Sequence, residues 1–283
     1  MLSRQRGRLN PTANKDMNTD PPRPPGVRLT VRRLSKGYDG NAVLKDINFE
    51  VTPGEIFVIM GPSGSGKSVL LRQLIGLEEP DQGEVLIDGR RVQPPEITTQ
   101  YRVAMVFQSG ALLSSMTVGQ NVGFYLAEHH LKPPAEIARI VAAELAEVGL
   151  PGAENKMPGE LSGGMVKRVA IARALAVEPQ LILYDEPTSE LDPVSAAGIV
   201  ADIVKLNERI QATTLVVTHD REVAFGIGRH IAMLEDGCLV AVGTPDEIRR
   251  SPDPRVQEFI NVGIVRVPAI SGPPLSPDLH LVG

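Results

Sequence analysis

The chain has 283 residues, 42% hydrophobic and 22% charged, enough to bury a core in one or two domains. Its apolar runs stay strand-sized, short of the roughly 18 residues that span a bilayer, and its single cysteine, Cys238, excludes an internal disulfide framework and suits a reducing compartment. The net charge of −5 divides into +6 over residues 1–33 and −11 over the rest, and an acidic body argues against nucleic-acid binding.

The first 26 residues are rich in Pro, Asn and Arg without an apolar period and read as a disordered basic tail. A weak attraction to anionic lipid headgroups is the sharper reading of their charge, and no apolar stretch for a secretory signal opens the chain. VRLTVRRLSKGYDG and AVLKDINFEVTPGE read as strands broken by turns. IFVIM is a buried strand, followed by a Gly-rich loop and the helix SVLLRQLIGL, and GEVLIDGR is a short strand with an Asp-Gly turn. YRVAMVFQ is a strand, and after SGALLSSMT the spacing turns helical through about Val148. A helix opens at Gly163 and ends near EPQ. LILYDE is a second buried strand, DPVSAAGIVADIVKLNER a helix with Pro193 near its first turn, and TTLVVTH a third buried strand. REVAFGIG follows as a helix and HIAMLEDGCLVAVG as a hairpin around Asp236-Gly237, with Cys238 a small buried strand residue. Strands alternating with helices predict an α/β sandwich with a largely parallel sheet over 27–250, interrupted by an inserted helical subdomain at about 99–160. Residues 251–283 are a short extension in which Val256, Phe259 and Ile260 share an apolar helix face.

Two stretches carry the chemistry of an anion site. GPSGSGKS fits G-x-x-x-x-G-K-[ST], so Gly61, Pro62, Ser63, Gly64, Ser65 and Gly66, with Val69 beyond, form a backbone cradle for phosphates. Lys67 reaches the β- and γ-phosphates of ATP, and the Ser68 hydroxyl is placed to ligate Mg²⁺. LSGGMVKRVAIARAL opens a second helix on Ser162, Gly163 and Gly164, whose N–H groups carry no bulky side chain. Lys167 and Arg168 stand in its early turns, where cations are unfavourable unless an anion lies in front. At the end of LILYDE, Asp185 can hold the Mg²⁺ shell and Glu186 can polarise an attacking water.

Lys67, Ser162, Asp185 and His219 stand in the order and spacing of ABC-type ATPases, and LSGG resembles the signature of that family. The resemblance implies a P-loop NTPase nucleotide-binding domain, with a mostly parallel core sheet, an antiparallel β subdomain and an inserted helical subdomain. It also implies a homodimer packed head to tail, in which the P-loop of one subunit and the signature of the other clamp the same ATP. That gives each cradle its own nucleotide. Tyr38 matches the aromatic residue stacked on adenine, and Gln108 the Q-loop glutamine that senses Mg²⁺ and the water. Asp192 matches the D-loop aspartate at the dimer seam, and His219 the switch histidine near the γ-phosphate. His129, His130, His230 and His280 have no such support and read as surface residues. Two positions depart from the pattern: Met165 replaces the usual Gln of the signature, and Glu190 replaces the usual Gly of the D-loop.

FQSGAL with Met116, NV and EH after it, LSGGM, and SPDPRVQEFINVG are similar to the ATPase subunits of Mla/Mce-type phospholipid transporters. This resemblance covers about residues 27–262. It implies an integral-membrane permease, a membrane-tethered MCE-domain lipid-binding protein, no nucleic acid, and a peripheral place on the cytoplasmic face of the inner membrane. Leu112, Leu113, Met116 and Val118 form an apolar set open to two readings, burial in the helical subdomain or a groove for a permease helix. Rival readings are an importer ATPase for amino acids or another small solute, and a soluble ABC ATPase of DNA repair or translation. The second rival typically carries two such domains or a long coiled coil, and neither is visible.

Overall fold

The computed structural model describes residues 25–91 and 100–261. The tail, save Pro25 and Gly26, and residues 262–283, including His280, lie outside them. Six strands form one sheet in the order β10-β9-β3-β8-β7-β6. They are β3 (Ile56–Met60), β6 (Val103–Val106), β7 (Leu181–Asp185), β8 (Thr213–Thr218), β9 (His230–Glu235) and β10 (Cys238–Gly243). All neighbours run parallel except β9 and β10, the hairpin predicted around Asp236-Gly237. Its turn residues have φ of 48° and 76°, the left-handed pair that matches the twist of a two-residue hairpin. Cys238 is half-buried on edge strand β10, less enclosed than its sequence suggests.

A second, antiparallel sheet has the order β2-β1-β4-β5, from β1 (Leu29–Tyr38), β2 (Asn41–Val51), β4 (Gln82–Ile87) and β5 (Arg90–Arg91). The all-apolar β3 is the hinge between two cores, because alternate strand residues point to opposite faces. Ile56, Val58 and Met60 face one core and Phe57 and Ile59 the other, where the Phe57 ring stacks on Phe49 of β2 at 5.2 Å. That second core also takes Leu70, Leu71 and Leu74 of α1 (Lys67–Leu74). Each such side chain contributes about 1.5–3 kcal/mol when fully buried.

The first core is covered by α2 (Val118–Glu128), α3 (Pro134–Glu147), α4 (Gly163–Leu175) and α5 (Pro193–Ile210). It is completed by α6 (Arg221–Ile227), α7 (Pro245–Arg249) and α8 (Pro254–Asn261). Within the 99–160 stretch β6 pairs with β7 inside the large sheet, and the helices that follow it run from Val118. Helix α4 ends at Leu175, before EPQ, where Glu178 takes a left-handed turn with φ 49°. It is buried on most of its faces, so it shows no amphipathic stripe. Val256 is buried and Phe259 and Ile260 pack on the first core, so the apolar face of α8 docks on its own domain. The loops after β3, β6, β7 and β8 all leave the same end of the large sheet, the carboxyl end at which parallel sheets bind ligands.

Candidate active site

The loop after β3 delivers Gly61–Gly66 to the start of α1. A Cβ at Gly61 would stand 2.0 Å from the Leu234 carbonyl oxygen, and one at Gly66, where φ is 103°, 2.9 Å from Leu44 Cδ2. No side chain caps the helix, so the first N–H groups, from Lys67 to Val69, are available to an anion. Lys67 crosses the loop mouth, its ammonium donating to the carbonyls of Gly61 at 2.9 Å and Pro62 at 2.8 Å. Burial lowers its pKa, and the carboxylates of Glu186 and Asp185 oppose that shift.

Asp185 ends β7 beside this loop. Burial raises its pKa, Glu186 adds to the rise, and a hydrogen bond from Ser68 works against it. Its Oδ1 is buried without a hydrogen-bond partner, as is Ser65 Oγ in the loop. A buried, unsatisfied oxygen is costly, and a hydroxyl and a carboxylate meeting there form the donor set of a hard cation that also takes phosphate oxygens. The residues therefore fit Mg²⁺. Among the described residues no group of three or more His, Cys, Asp or Glu could hold a metal by itself.

Glu186 follows with φ 47° and its N–H bonded to the Val217 carbonyl of β8 at 2.9 Å. Its Oε2 accepts from Thr218 Oγ1 at 3.2 Å and His219 N at 3.3 Å, and faces His219 Nδ1 at 2.9 Å. The Glu186 side chain is 12% exposed and that of His219 is 56% exposed. The structure thus brings Lys67, Ser68, Asp185, Glu186 and His219 together from three strand ends. Thr218, read from the sequence only as strand, joins them.

Tyr38 ends β1 before a turn at Asp39-Gly40, and its ring is partly open to solvent. Its hydroxyl donates to Glu78, which also accepts from Arg72 Nε of α1 at 2.7 Å, so the ring is tied to the P-loop helix. The side chain of Gln108 is exposed beyond β6, and its carbonyl accepts from the Lys167 ammonium.

Ser162 caps α4, its Oγ accepting from Met165 N at 3.4 Å. Where a Cβ would stand at Gly163 and Gly164, the nearest atoms belong to Leu191 at 3.3 Å and Ser195 at 3.6 Å. The signature therefore packs beside the D-loop. Among the described residues no hydrogen bond joins it to the P-loop of its own chain. Asp192 caps α5, accepting from Val194 N and Ser195 N at 3.0 Å each. Met165 packs on the first core. Glu190 has φ 64°, so the backbone takes here the left-handed shape for which Gly is the ordinary choice, at a cost of about 1–2 kcal/mol for a residue with a side chain.

Two expectations are corrected, and the open reading of the Leu112 set divides between its members. Lys167 does not face an anion in front of its helix: it is buried, with its ammonium turned to Gln108 and the D-loop. Arg168 pairs with Asp202 at 3.0 Å instead. His230 is not a plain surface residue, since its Nδ1 lies 2.8 Å from Oε2 of Glu55, whose side chain is 1% exposed. Of the Leu112 set, Val118 is buried, Leu112 packs on the core, and Leu113 opens onto a cleft of about 1220 Å³ beside β6. Phe107, Phe124, Tyr125 and Leu131 also line that cleft with part of their surface exposed.

Residues 44–189 match the family model described as ABC transporter. The chain is 41% identical over 242 residues to a protein named as a probable ribonucleotide transport ATP-binding protein, mkl, of Mycobacterium leprae; the match spans 84% of this chain and 70% of the relative. It is 40% identical over 237 residues to the intermembrane phospholipid transport system ATP-binding protein MlaF of Escherichia coli K12, spanning 82% and 88%. A sulfate/thiosulfate import ATP-binding protein of Synechocystis is 41% identical over 235 residues, spanning 83% and 66%. Among solved structures, the ATP-binding cassette MJ0796, a dimer in a post-hydrolysis state with ADP and Pi, superposes with a TM-score of 0.69 at 34% identity. That match covers 77% of this chain and 98% of the other.

Proposed function

The chain belongs to the ABC transporter family as an ATP-hydrolysing subunit, and from that premise we propose that its ATPase drives the transport of phospholipid or another hydrophobic lipid between membranes. The likeness to MlaF, which extends over 88% of that protein, carries the lipid reading. The segments FQSGAL, LSGGM and SPDPRVQEFINVG support it.

In this reading Lys67 and the N–H groups of Gly64–Val69 bind the β- and γ-phosphates, and the Tyr38 ring stacks on adenine. Ser68, Asp185 and Gln108 hold Mg²⁺, which when bound spreads the charge of the transferred phosphoryl group. Glu186 is the general base. Thr218 and His219 occupy its Oε2, which leaves Oε1 to accept a proton from the attacking water. With His219 Nδ1 held by Glu186, Nε2 is left to accept from the attacking water or, in the doubly protonated ring, to donate to a γ-phosphate oxygen. Ser162, Gly163 and Gly164 close on the nucleotide of a second copy, with Asp192 and the exposed Val194 near the seam.

The cleft beside β6 receives a cytoplasmic helix of an integral-membrane permease, its exposed aromatic and leucine residues meeting the apolar face of that helix. Among the described residues no helix is long and apolar enough to cross a membrane. In this reading the permease holds the chain at the cytoplasmic face of the inner membrane. An MCE-domain protein is the lipid-binding partner. Purification with the permease, extraction of bound lipid and reconstitution into two vesicle populations test this. ATP-dependent transfer of labelled phospholipid is the expected result. Activation by a polar solute with a solute-binding protein, and no lipid transfer, would establish the second reading, a small-solute importer. The sulfate/thiosulfate relative favours that reading.

A further inference from the structure

Lys167 lies in the second turn of α4 and is buried. Among the described residues no carboxylate is within ion-pair distance of it. Its ammonium instead donates to the Gln108 carbonyl and, at 3.3 Å, to Ser189 Oγ. Ser189 Oγ in turn donates to the Glu186 carbonyl at 2.8 Å, and Ser189 N bonds to the same oxygen at 3.1 Å. One chain of hydrogen bonds therefore runs from the Q-loop through the signature helix and the D-loop to the backbone of Glu186.

A hydroxyl rotates freely unless something fixes it. By donating to Ser189 Oγ, Lys167 directs the one hydroxyl hydrogen toward Glu186, and its charge makes that hydroxyl a stronger donor. Glu186 needs such help, because its φ of 47° is one that residues with a side chain rarely adopt. Arg173, one helix turn and a half further along α4, donates to the carbonyls of Ala111 at 2.7 Å and Gly110 at 2.9 Å. The helix thus grips the Q-loop twice, and only Lys167 passes that grip on to the base. Burial lowers the pKa of Lys167, and the carboxylates of Glu190, Asp185 and Glu186 oppose that shift.

We propose that Lys167 is a positioning residue for hydrolysis: through Ser189 it sets the backbone of the glutamate base and ties it to the Q-loop. The proposal rests on Glu186 acting as the base. A cation buried without a carboxylate partner contributes little to stability, because its burial opposes the hydrogen bonds it makes. An apolar replacement of similar size, which leaves the Gln108 carbonyl without its donor, is therefore expected to cost folding little. Structure and catalysis therefore separate in the Lys167→Met variant.

In the full chain, Lys167→Met is expected to lower kcat for ATP about tenfold, with KM within about twofold and the thermal midpoint lowered by no more than about 4 °C. Lys167→Gln, an uncharged donor, recovers part of the loss. In a Glu186→Gln background, where there is no base left to position, Lys167→Met changes the residual rate by less than about twofold. Equal slowing in both backgrounds, a change confined to KM, an unchanged kcat, or a fall in thermal midpoint that parallels the loss of rate overturns the role of Lys167 and leaves the base assignment standing. Fast turnover of Glu186→Gln alone removes the base assignment, and this proposal with it.

Discussion

At the scale of single residues, the site separates binding from chemistry. Lys67 is the cation at the loop mouth, with its ammonium 2.8–2.9 Å from two loop carbonyls that a phosphate would replace as partners. Lys67→Ala is expected to weaken ATP binding and turnover by on the order of a hundredfold or more, since the γ-phosphate loses its main cation. Nucleotide titration measures it, and near-normal hydrolysis would refute the P-loop assignment. Glu186→Gln keeps the shape and the Thr218 and His219 contacts but cannot take a proton. It is expected to bind ATP, turn over some 10²–10⁴-fold more slowly, and collect as an ATP-bound dimer visible by size exclusion. Met165→Gln is expected to leave hydrolysis within about threefold, because Met165 packs on the core while Ser162 Oγ and the backbone form the cradle; a loss beyond tenfold would place its side chain at the nucleotide. The residues of these three predictions were legible because motif spacing fixes them. Lys167 and Arg173 were not, because their partners are backbone carbonyls of a loop some 60 positions away, which no residue identity announces. The sequence did show Lys167 as a cation misplaced against a helix dipole, a signal that something unusual faced it.

At the scale of elements, α2 shows how the loop after the Q-loop is held in place. Thr117 and Gln120 form a capping box at its start. Asn121 is fully buried, accepts from Leu113 N at 2.7 Å and donates to the carbonyls of Leu113, Met116 and Thr117 at 3.0–3.1 Å. One side chain thereby stitches 113–117 to the helix and aims Leu113 at the cleft. Asn121→Ala is expected to cost about 1–3 kcal/mol, since it leaves the Leu113 N–H and the Met116 carbonyl unpaired. That corresponds to a fall in thermal midpoint of about 2–4 °C per kcal/mol. ATP binding should persist while ATPase stimulation by the permease falls; an unchanged midpoint would show that water or a rearranged loop replaces the amide. The hairpins and buried strands were legible, because Asp-Gly pairs and all-apolar runs have few alternative structures. The register of β1 was not, because its bulges between Val31 and Gly37 interrupt the alternation on which a reading depends.

At the scale of the whole molecule, the sequence raised the question of two anion cradles, and the answer depends on where each faces. The P-loop stands at the end of β3 and the signature stands at the start of α4 beside the D-loop. The order of the sheet strands and the packing of the two cores on β3 could not be read from local pattern, because they follow from contacts between segments far apart in the chain. The head-to-tail arrangement predicts a result that no single-site model gives. Ser162→Arg places a long cation in the cradle and should be inactive as a homodimer, as should Lys67→Ala. In a mixed dimer of the two variants both lesions fall in one composite site, and the other site has an unmutated P-loop and an unmutated signature. Mixing the two inactive variants should therefore restore hydrolysis, to about half of the wild-type rate per mixed dimer and about a quarter in a random equimolar mixture if each site fires independently. Absence of recovery, despite mixed dimers confirmed by differential tags, leaves strict coupling or a wrong arrangement, and a crosslink decides between them. With Cys238 replaced by Ser, cysteines at Ser63 and Ser162 should join one subunit to the other in ATP, because only head-to-tail packing brings those two exposed positions together across the seam. Ser63 is the better site than Gly64, whose φ of 82° disfavours any side chain. Recovery without a crosslink would mean that the two subunits complement each other by a route other than a shared nucleotide, and the second cradle would then need another ligand.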